Sequence, residues 1–318
     1  MWLPGSVSLP FIEIMRPTPD EGLMNTMYPN KRIILAVSLM WFLLIAISSA
    51  IAEDGLINKV KATEARLGSR LGFAMHDYDN GKIWKYRATQ RFPISSTFKP
   101  ILCGAILKKM DEGKEHLERD IPILIESLVS WSPVTKKRVG STMTLDELCH
   151  AAITMSDNSA GNLLLEQIGG PESFTYFMRS LGDSSTHLDR WETELNEGLP
   201  GDPRDTTTPD AILKSLHALT IGDVLSENAR NKLIEWLKAD QVADSLFRAS
   251  LPEGWKIGDK SGAGGHGSRS IIAIIWPPNR GPVLVALYLT ETNAGLAILN
   301  KAVAEIGAAI VEELNTVR

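Results

Sequence analysis

A serine followed three residues later by a lysine, Ser96-Thr97-Phe98-Lys99, is the first stretch on which chemistry can be built. Apolar residues at 98, 101, 102, 105, 106 and 110 recur at three- and four-residue steps. That spacing predicts a helix with a buried face, stopping at Asp111-Glu112-Gly113. Ser96 then sits at the helix N-terminus, with Lys99 one turn on and on the same side. A hydroxyl there lies in the positive field of the first-turn amides. A desolvated amine at i+3 can take its proton. This describes an activated serine nucleophile, and the plainer alternative is a serine that only caps a helix. Pro100 disfavours helical geometry at Lys99 and fits only if it lies in the first turn.

Three further polar motifs follow in order: Ser156-Asp157-Asn158, Glu192-Thr193-Glu194-Leu195-Asn196 and Lys260-Ser261-Gly262. Each is weak alone, since short patterns of this kind occur by chance. Their order and context make the set specific. Glu192 read in isolation is a solvated loop carboxylate.

The elements that must position these residues can be read from periodicity. Asp54 to Leu67 has amphipathic spacing, through Leu56, Ile57, Val60, Ala65 and Leu67. Leu71–Asp77 and Lys82–Arg87 flank Asp79-Asn80-Gly81, a strong hairpin signal. From Ser96 to about 239 the pattern is almost wholly helical. Thr144 to Glu147 forms a capping box opening a helix that points Leu145, Leu148, Cys149, Ala152 and Ile153 inward. That helix ends at the turn holding Ser156, and the next runs to Ile168-Gly169-Gly170. Residues 187–205 have no period and are rich in charge, Gly and Pro, a long loop of the kind that is usually functional. Thr208-Pro209 and Ser226 cap two more helices. Lys256–Ser261, Arg269–Trp276 and Val283–Thr290 read as strands, and Ala294 to Leu314 as a closing helix. The expectation is an α+β fold: a five-stranded antiparallel sheet flanked by helices, from 53–87 and 240–318, with an all-helical domain, 88–239, inserted.

Composition narrows the function. The chain of 318 residues is 44% hydrophobic and 22% charged, enough for a large core. A net charge of -5 without a basic run speaks against nucleic acid as a partner. No His-x-x-x-His or Cys-x-x-Cys spacing supports a zinc mechanism, so neither a metal nor a cofactor is expected. Asn30-Lys31-Arg32, the apolar run Ile33 to Ile47 and the Ala50-Ile51-Ala52 site read as a signal peptide spanning 24–52, cleaved before Glu53. The apolar run is short for a membrane span. Residues 1–23 read as a non-native or disordered extension, with translation starting at Met24 or Met27. The expected product is periplasmic, unanchored and monomeric, in a compartment where disulfides persist.

With these motifs in this order, from Asp54 to the C-terminus, the sequence resembles class A serine β-lactamases of the penicillinase and carbenicillinase type. The resemblance implies the sheet-plus-helical architecture, with the active site in the cleft between the two parts. Ser96 would attack the lactam carbonyl, and its own amide with that of Ala263 would hold the oxyanion. Ser156 would relay a proton to the leaving nitrogen, with Lys99 and Lys260 keeping the site electropositive. Lys260, Ser261, Ser156 and Arg269 would meet the substrate carboxylate, and Asn158 and the Ala263 carbonyl its acylamide side chain. Gly262 completes the Lys-Ser-Gly strand motif. Glu192 with Asn196 would prepare the deacylating water, while the acylation base is either Lys99 or Glu192. Trp131 resembles the aromatic at the pocket rim, the alternative being a core plug; for Arg269 the alternative is an exposed strand charge. Arg190 and Asp205 resemble an ion pair across the neck of the 187–205 Ω-type loop, and a cis Glu192–Thr193 peptide is implied too. Cys103 lies seven residues after Ser96 and Cys149 seven before Ser156. If both serines face one pocket, the thiols can meet two turns away as a disulfide; otherwise they are separate core thiols. Serine at 261 stands where the family more often has threonine, and Ser95 where it often has cysteine. Gly264-Gly265 leaves the strand edge bare, which favours penicillins and carboxypenicillins over oxyimino-cephalosporins. The nearest rivals are a penicillin-binding D,D-peptidase and a β-lactam sensor domain that stays acylated.

Overall fold

The computed structural model describes residues 55–316, and the expected signal peptide and the 1–23 extension lie outside them. A five-stranded antiparallel sheet has the order β2-β1-β9-β8-β7. Its strands are β1 (Arg70–Asp77), β2 (Ile83–Tyr86), β7 (Lys256–Gly264), β8 (Ser268–Trp276) and β9 (Val283–Thr290). The architecture is α+β, with eight α-helices among the described residues.

Alternation along the strands divides the apolar side chains between two cores. Phe73, Met75, Ile271, Ala273, Val285 and Leu287 face one side. There they bury Leu56 and Val60 of helix α1 (Gly55–Leu67) and Leu299, Val303, Ile306 and Ile310 of helix α8 (Leu296–Thr316). Ala74, Ile272, Ile274, Leu284, Ala286 and Tyr288 face the other side and join the helical core. In α1 it is Thr63 rather than Ala65 that is buried, one turn after Val60.

The helical core is built around α2 (Lys99–Asp111). Every residue from Lys99 to Leu107 is buried, so this helix is enclosed all round rather than on a single face. Around it lie α3 (Leu145–Thr154), α4 (Asn158–Ile168), α5 (Gly170–Ser180), α6 (Pro209–Thr220) and α7 (Glu227–Lys238). The Thr144–Glu147 capping box and the Thr208 and Ser226 caps form as the sequence implies. Gly169 ends α4 in the left-handed conformation at φ 101°, which a glycine adopts without a Cβ penalty. Two small ladders have no counterpart in the periodicity: β3 (Phe92–Pro93) with β6 (Thr206–Thr207), and β4 (Asp120–Pro122) with β5 (Thr142–Thr144). The first, extended by a His187–Thr206 bridge, closes the neck of the 187–205 loop.

Cys103 and Cys149 are joined as a disulfide between α2 and α3, with Cα atoms 5.7 Å apart. Among the described residues no helix is long and apolar enough to cross a membrane.

Candidate active site

Ser96 lies in a 3₁₀ turn, Ser95–Phe98, that leads straight into α2, rather than in the α-helix itself. Pro100 then falls in the first turn of α2, where its missing N–H costs no hydrogen bond. Lys99 is helical despite preceding proline, at φ -60° and ψ -41°. The turn between α3 and α4 supplies Ser156 and Asn158. Strand β7 supplies Lys260 to Ala263, and the neighbouring strand supplies Arg269 opposite Ala263.

A cleft of about 440 Å³ opens among these elements. Ser96, Ser156, Asn158, Asn196, Ser261, Gly262, Ala263, Arg269 and Trp131 all line it. Lys99, Glu192 and Lys260 are wholly buried at their side chains. These sequence-predicted residues therefore come together at one place from six separate stretches.

The Lys99 ammonium donates to the Ser156 carbonyl at 2.9 Å and to Asn158 Oδ1 at 2.7 Å. It also faces Glu192 Oε1 at 3.1 Å. Burial pushes the Lys99 amine below its ordinary range, and the Glu192 carboxylate opposes that shift. The other Glu192 oxygen accepts from the Asn196 amide. Asn162, one turn along α4 from Asn158, grips the Glu192 backbone in both directions. It accepts from Glu192 N at 2.9 Å and donates to Glu192 O at 2.8 Å. The Glu192–Thr193 peptide is cis.

Asp157 organises the opposite wall. Its carboxylate caps α4 at Ala160 N and accepts from Val134 N, Thr135 N and Thr135 Oγ1, all at 2.9–3.1 Å. That fixes the segment carrying Trp131, which is 60% exposed at the cleft mouth and donates from Nε1 to the Met155 carbonyl. Trp131 is thus no core plug. Ser95, Trp131 and Ser156 all have positive φ, 44°, 62° and 55°, and so cluster backbone strain around the cleft.

Arg269 is 6% exposed and held in place, donating to Gly262 O at 2.9 Å and to Asn300 Oδ1 at 2.8 Å. Lys260 donates to the Ser261 carbonyl at 3.1 Å, and burial lowers its pKa to about 8. Across the loop neck, Arg190 Nε meets Asp205 Oδ2 at 2.6 Å, while Asp205 Oδ1 accepts from the amides of Asp189 and Arg190. The two charges are one ion pair. Among the described residues no three His, Cys, Asp or Glu side chains group as metal ligands.

Several residues of the site had no signal in the motifs. Asn162 could have been suspected from its i+4 relation to Asn158 on one helix face. Asp240, Val242, Leu296 and Asn300 reach the cleft or its floor from elements distant in the chain, and no local pattern marks them.

Residues 55–314 match the model of a family described as the β-lactamase enzyme family. The chain belongs to that family. Over 262 residues it is 47% identical to Beta-lactamase AER-1 of Aeromonas hydrophila, an alignment covering 82% of this chain and 86% of that one. A solved ancestral class A β-lactamase shares 50% identity at a TM-score of 0.80, covering 81% of this chain and 99% of its own. A class A β-lactamase representing the last common ancestor of Gram-negative bacteria shares 50% identity at a TM-score of 0.81, over 82% of this chain and 99% of its own. The chain is therefore a class A β-lactamase, a hydrolase whose five-stranded sheet and helical core are those of its relatives.

Proposed function

We propose that this β-lactamase opens the lactam amide through an acyl-enzyme on Ser96. Ser96 Oγ attacks the carbonyl carbon while its proton passes to a base of the Lys99–Glu192 pair. The developing oxyanion is received by the amides of Ser96 and Ala263, each donor worth about 10²–10³ in rate. The C–N bond then breaks, and Ser156 passes its proton to the ring nitrogen while receiving the one taken from Ser96 from the Lys99–Glu192 pair. Glu192, oriented by Asn196, takes a proton from water as it adds to the ester carbonyl, and returns that proton to Ser96 Oγ as the ester C–O bond breaks. Lys260, Ser261 and Arg269 receive the substrate carboxylate, Asn158 and the Ala263 carbonyl the acylamide side chain, and Trp131 flanks the entrance.

One observation supports this reading above the others. A loop carboxylate, Glu192, is fully buried against Lys99, one turn from Ser96, with Asn196 on its second oxygen. A penicillin-binding peptidase or a β-lactam sensor has no use for such a group. Penicillins and carboxypenicillins are the proposed substrates, with some cephalosporins. The bare Gly264-Gly265 edge disfavours the oxyimino class, so carbenicillin should exceed cefotaxime in kcat/KM. We also assign the signal segment a periplasmic destination and the mature protein a monomeric state.

The test is multiple-turnover hydrolysis of nitrocefin by residues 53–318. Glu192→Ala should abolish turnover while a mass adduct accumulates on Ser96. Single-turnover acylation of the unaltered protein, without release, would replace this reading with the sensor; failure to acylate Ser96 would remove it.

A further inference from the structure

Beneath the cleft floor, Asp240 lies just beyond the C-terminal end of α7, 4% exposed. Its Oδ1 accepts from Val242 N at 2.7 Å. Its Oδ2 has no hydrogen-bond partner and stands 3.9 Å from Lys260 Nζ, both side chains being wholly buried. A buried carboxylate oxygen left unpaired is costly unless a charge offsets it. The neighbouring charges decide which one does. Arg248 is engaged by Asp259, with Nη2–Oδ1 at 2.7 Å and Nε–Oδ1 at 3.0 Å. Lys99, on the helix facing β7, is engaged by Glu192, and Arg269 by Gly262 and Asn300. Asp244, the remaining carboxylate near Asp240, is exposed. Asp240 and Lys260 are the members of this cluster left to each other.

We propose that Asp240 is a positioning residue that keeps Lys260 protonated and fixed for the substrate carboxylate. The proposal rests on the reading that Lys260 receives that carboxylate. At 3.9 Å the two do not form a hydrogen bond, so the effect is Coulombic, and the ammonium, which gives one hydrogen to the Ser261 carbonyl, keeps the others for the substrate. Without Asp240, burial together with Lys99 and Arg269 would favour a neutral amine, and Asp259 is already engaged. The same carboxylate holds Val242, which lines the cleft, so it fixes the wall beside the ammonium as well.

The experiment is a pH profile of kcat/KM for benzylpenicillin and for its methyl ester, in the wild type and in Asp240→Asn. The substitution keeps the side-chain shape and an acceptor for Val242 N. The wild type should prefer the acid, with an alkaline limb near pH 8. In Asp240→Asn that limb should move down by about one pH unit or more, mainly through KM, while the ester is unaffected. Asp244→Asn should leave the limb in place, and Asp240→Glu should restore it if Asp240→Asn folds poorly. An unmoved limb, or equal losses for acid and ester, would overturn the proposal alone. A wild type indifferent to esterification would overturn the reading of Lys260, and the proposal with it.

Discussion

The Lys99 ammonium and the Glu192 carboxylate stand 3.1 Å apart with neither side chain reaching solvent. The ammonium has three hydrogens and faces three acceptors: Glu192, the Ser156 carbonyl and Asn158 Oδ1. In this resting arrangement Lys99 is a donor with no lone pair to offer Ser96. We propose the carboxylate as the basic site of the pair.

Glu192→Gln should consequently slow both halves of the reaction. Acylation should fall by about 10²-fold and deacylation further, the scale of a lost general base. Rapid-quench mass spectrometry separates the two rates. Adduct formation at the wild-type rate, with only deacylation lost, would instead make Lys99 the acylation base.

Gly262 lies flush against the proposed nucleophile, Ser96. A Cβ added there would meet Ser270 Oγ at 2.5 Å, Ser95 Cβ at 3.0 Å and Ser96 N at 3.2 Å. The hydroxyl can rotate away, but the Ser96 amide is backbone, so Gly262→Ala must shift β7 from the Ser95–Phe98 turn by a few tenths of an ångström. The amides of Ser96 and Ala263 would lose their common focus. The acylation rate should drop by about 10²–10³, the worth of one misplaced oxyanion donor. A unfolding midpoint close to wild type, alongside that loss in stopped-flow acylation, would separate geometry from stability.

The motifs were legible because each is local: a hydroxyl and an amine one turn apart, or three polar residues in a turn. The sheet was legible for the same reason, since its strands are long enough to show a period and the Asn80-Gly81 turn fixes one hairpin. What escaped is pairing at a distance. Strands of two or three residues, such as Phe92–Pro93 against Thr206–Thr207, have no period to read. Strand β7 reads as ending at Ser261 because glycines follow, yet Gly262 and Gly264 pair with Ser270 and Ser268 through backbone alone. The enclosure of α2 from Lys99 to Leu107 was hidden by Lys99, which reads as a surface residue until Glu192 arrives from the loop. Asp240 and Asn300 matter only through Lys260 and Arg269, and nothing in their own neighbourhood announces that.

The loop that brings Glu192 in depends on Asp205, 1% exposed, which accepts three hydrogen bonds from Asp189 and Arg190. Asp205→Ala leaves the two amides and Arg190 Nε without their acceptor, while Glu197 still accepts from Arg190 Nη1, and should cost about 1–3 kcal/mol. Asp205→Asn keeps one acceptor oxygen for the amides and should cost less. Urea midpoints should rank wild type, Asp205→Asn, Asp205→Ala, with deacylation rates falling in the same order. Equal midpoints for all three would mean that the loop is held elsewhere.

The Cys103–Cys149 bridge spans a sequence separation of 46 between helices that carry Ser96 and Ser156 at their ends. On the loop-entropy model it contributes up to about 4 kcal/mol, acting on the unfolded chain. Both sulfurs are buried, so reductant should not open the bridge until the protein unfolds. The Cys103→Ala/Cys149→Ala enzyme should keep its kcat near 25 °C and lose stability in urea. A matching fall in kcat would show that the bridge also shapes the cleft.

Acid should loosen the fold at a site remote from these motifs. Tyr78 is sandwiched between His76, at a centroid distance of 3.8 Å, and His217, at 4.5 Å in a stacked arrangement. Burial pushes both imidazoles below their ordinary value of 6.5, and for His76 the nearby His217 adds to the shift. The folded state therefore holds fewer protons on this pair than the unfolded state does once pH drops below 6.5. Stability from the pair is intact above that value and is lost as pH falls through the lower folded pKa values. Replacing both, His76→Gln with His217→Gln, should flatten the fall in urea midpoint between pH 7 and pH 5. A slope unchanged by the double substitution would place the acid sensitivity on the buried carboxylates instead.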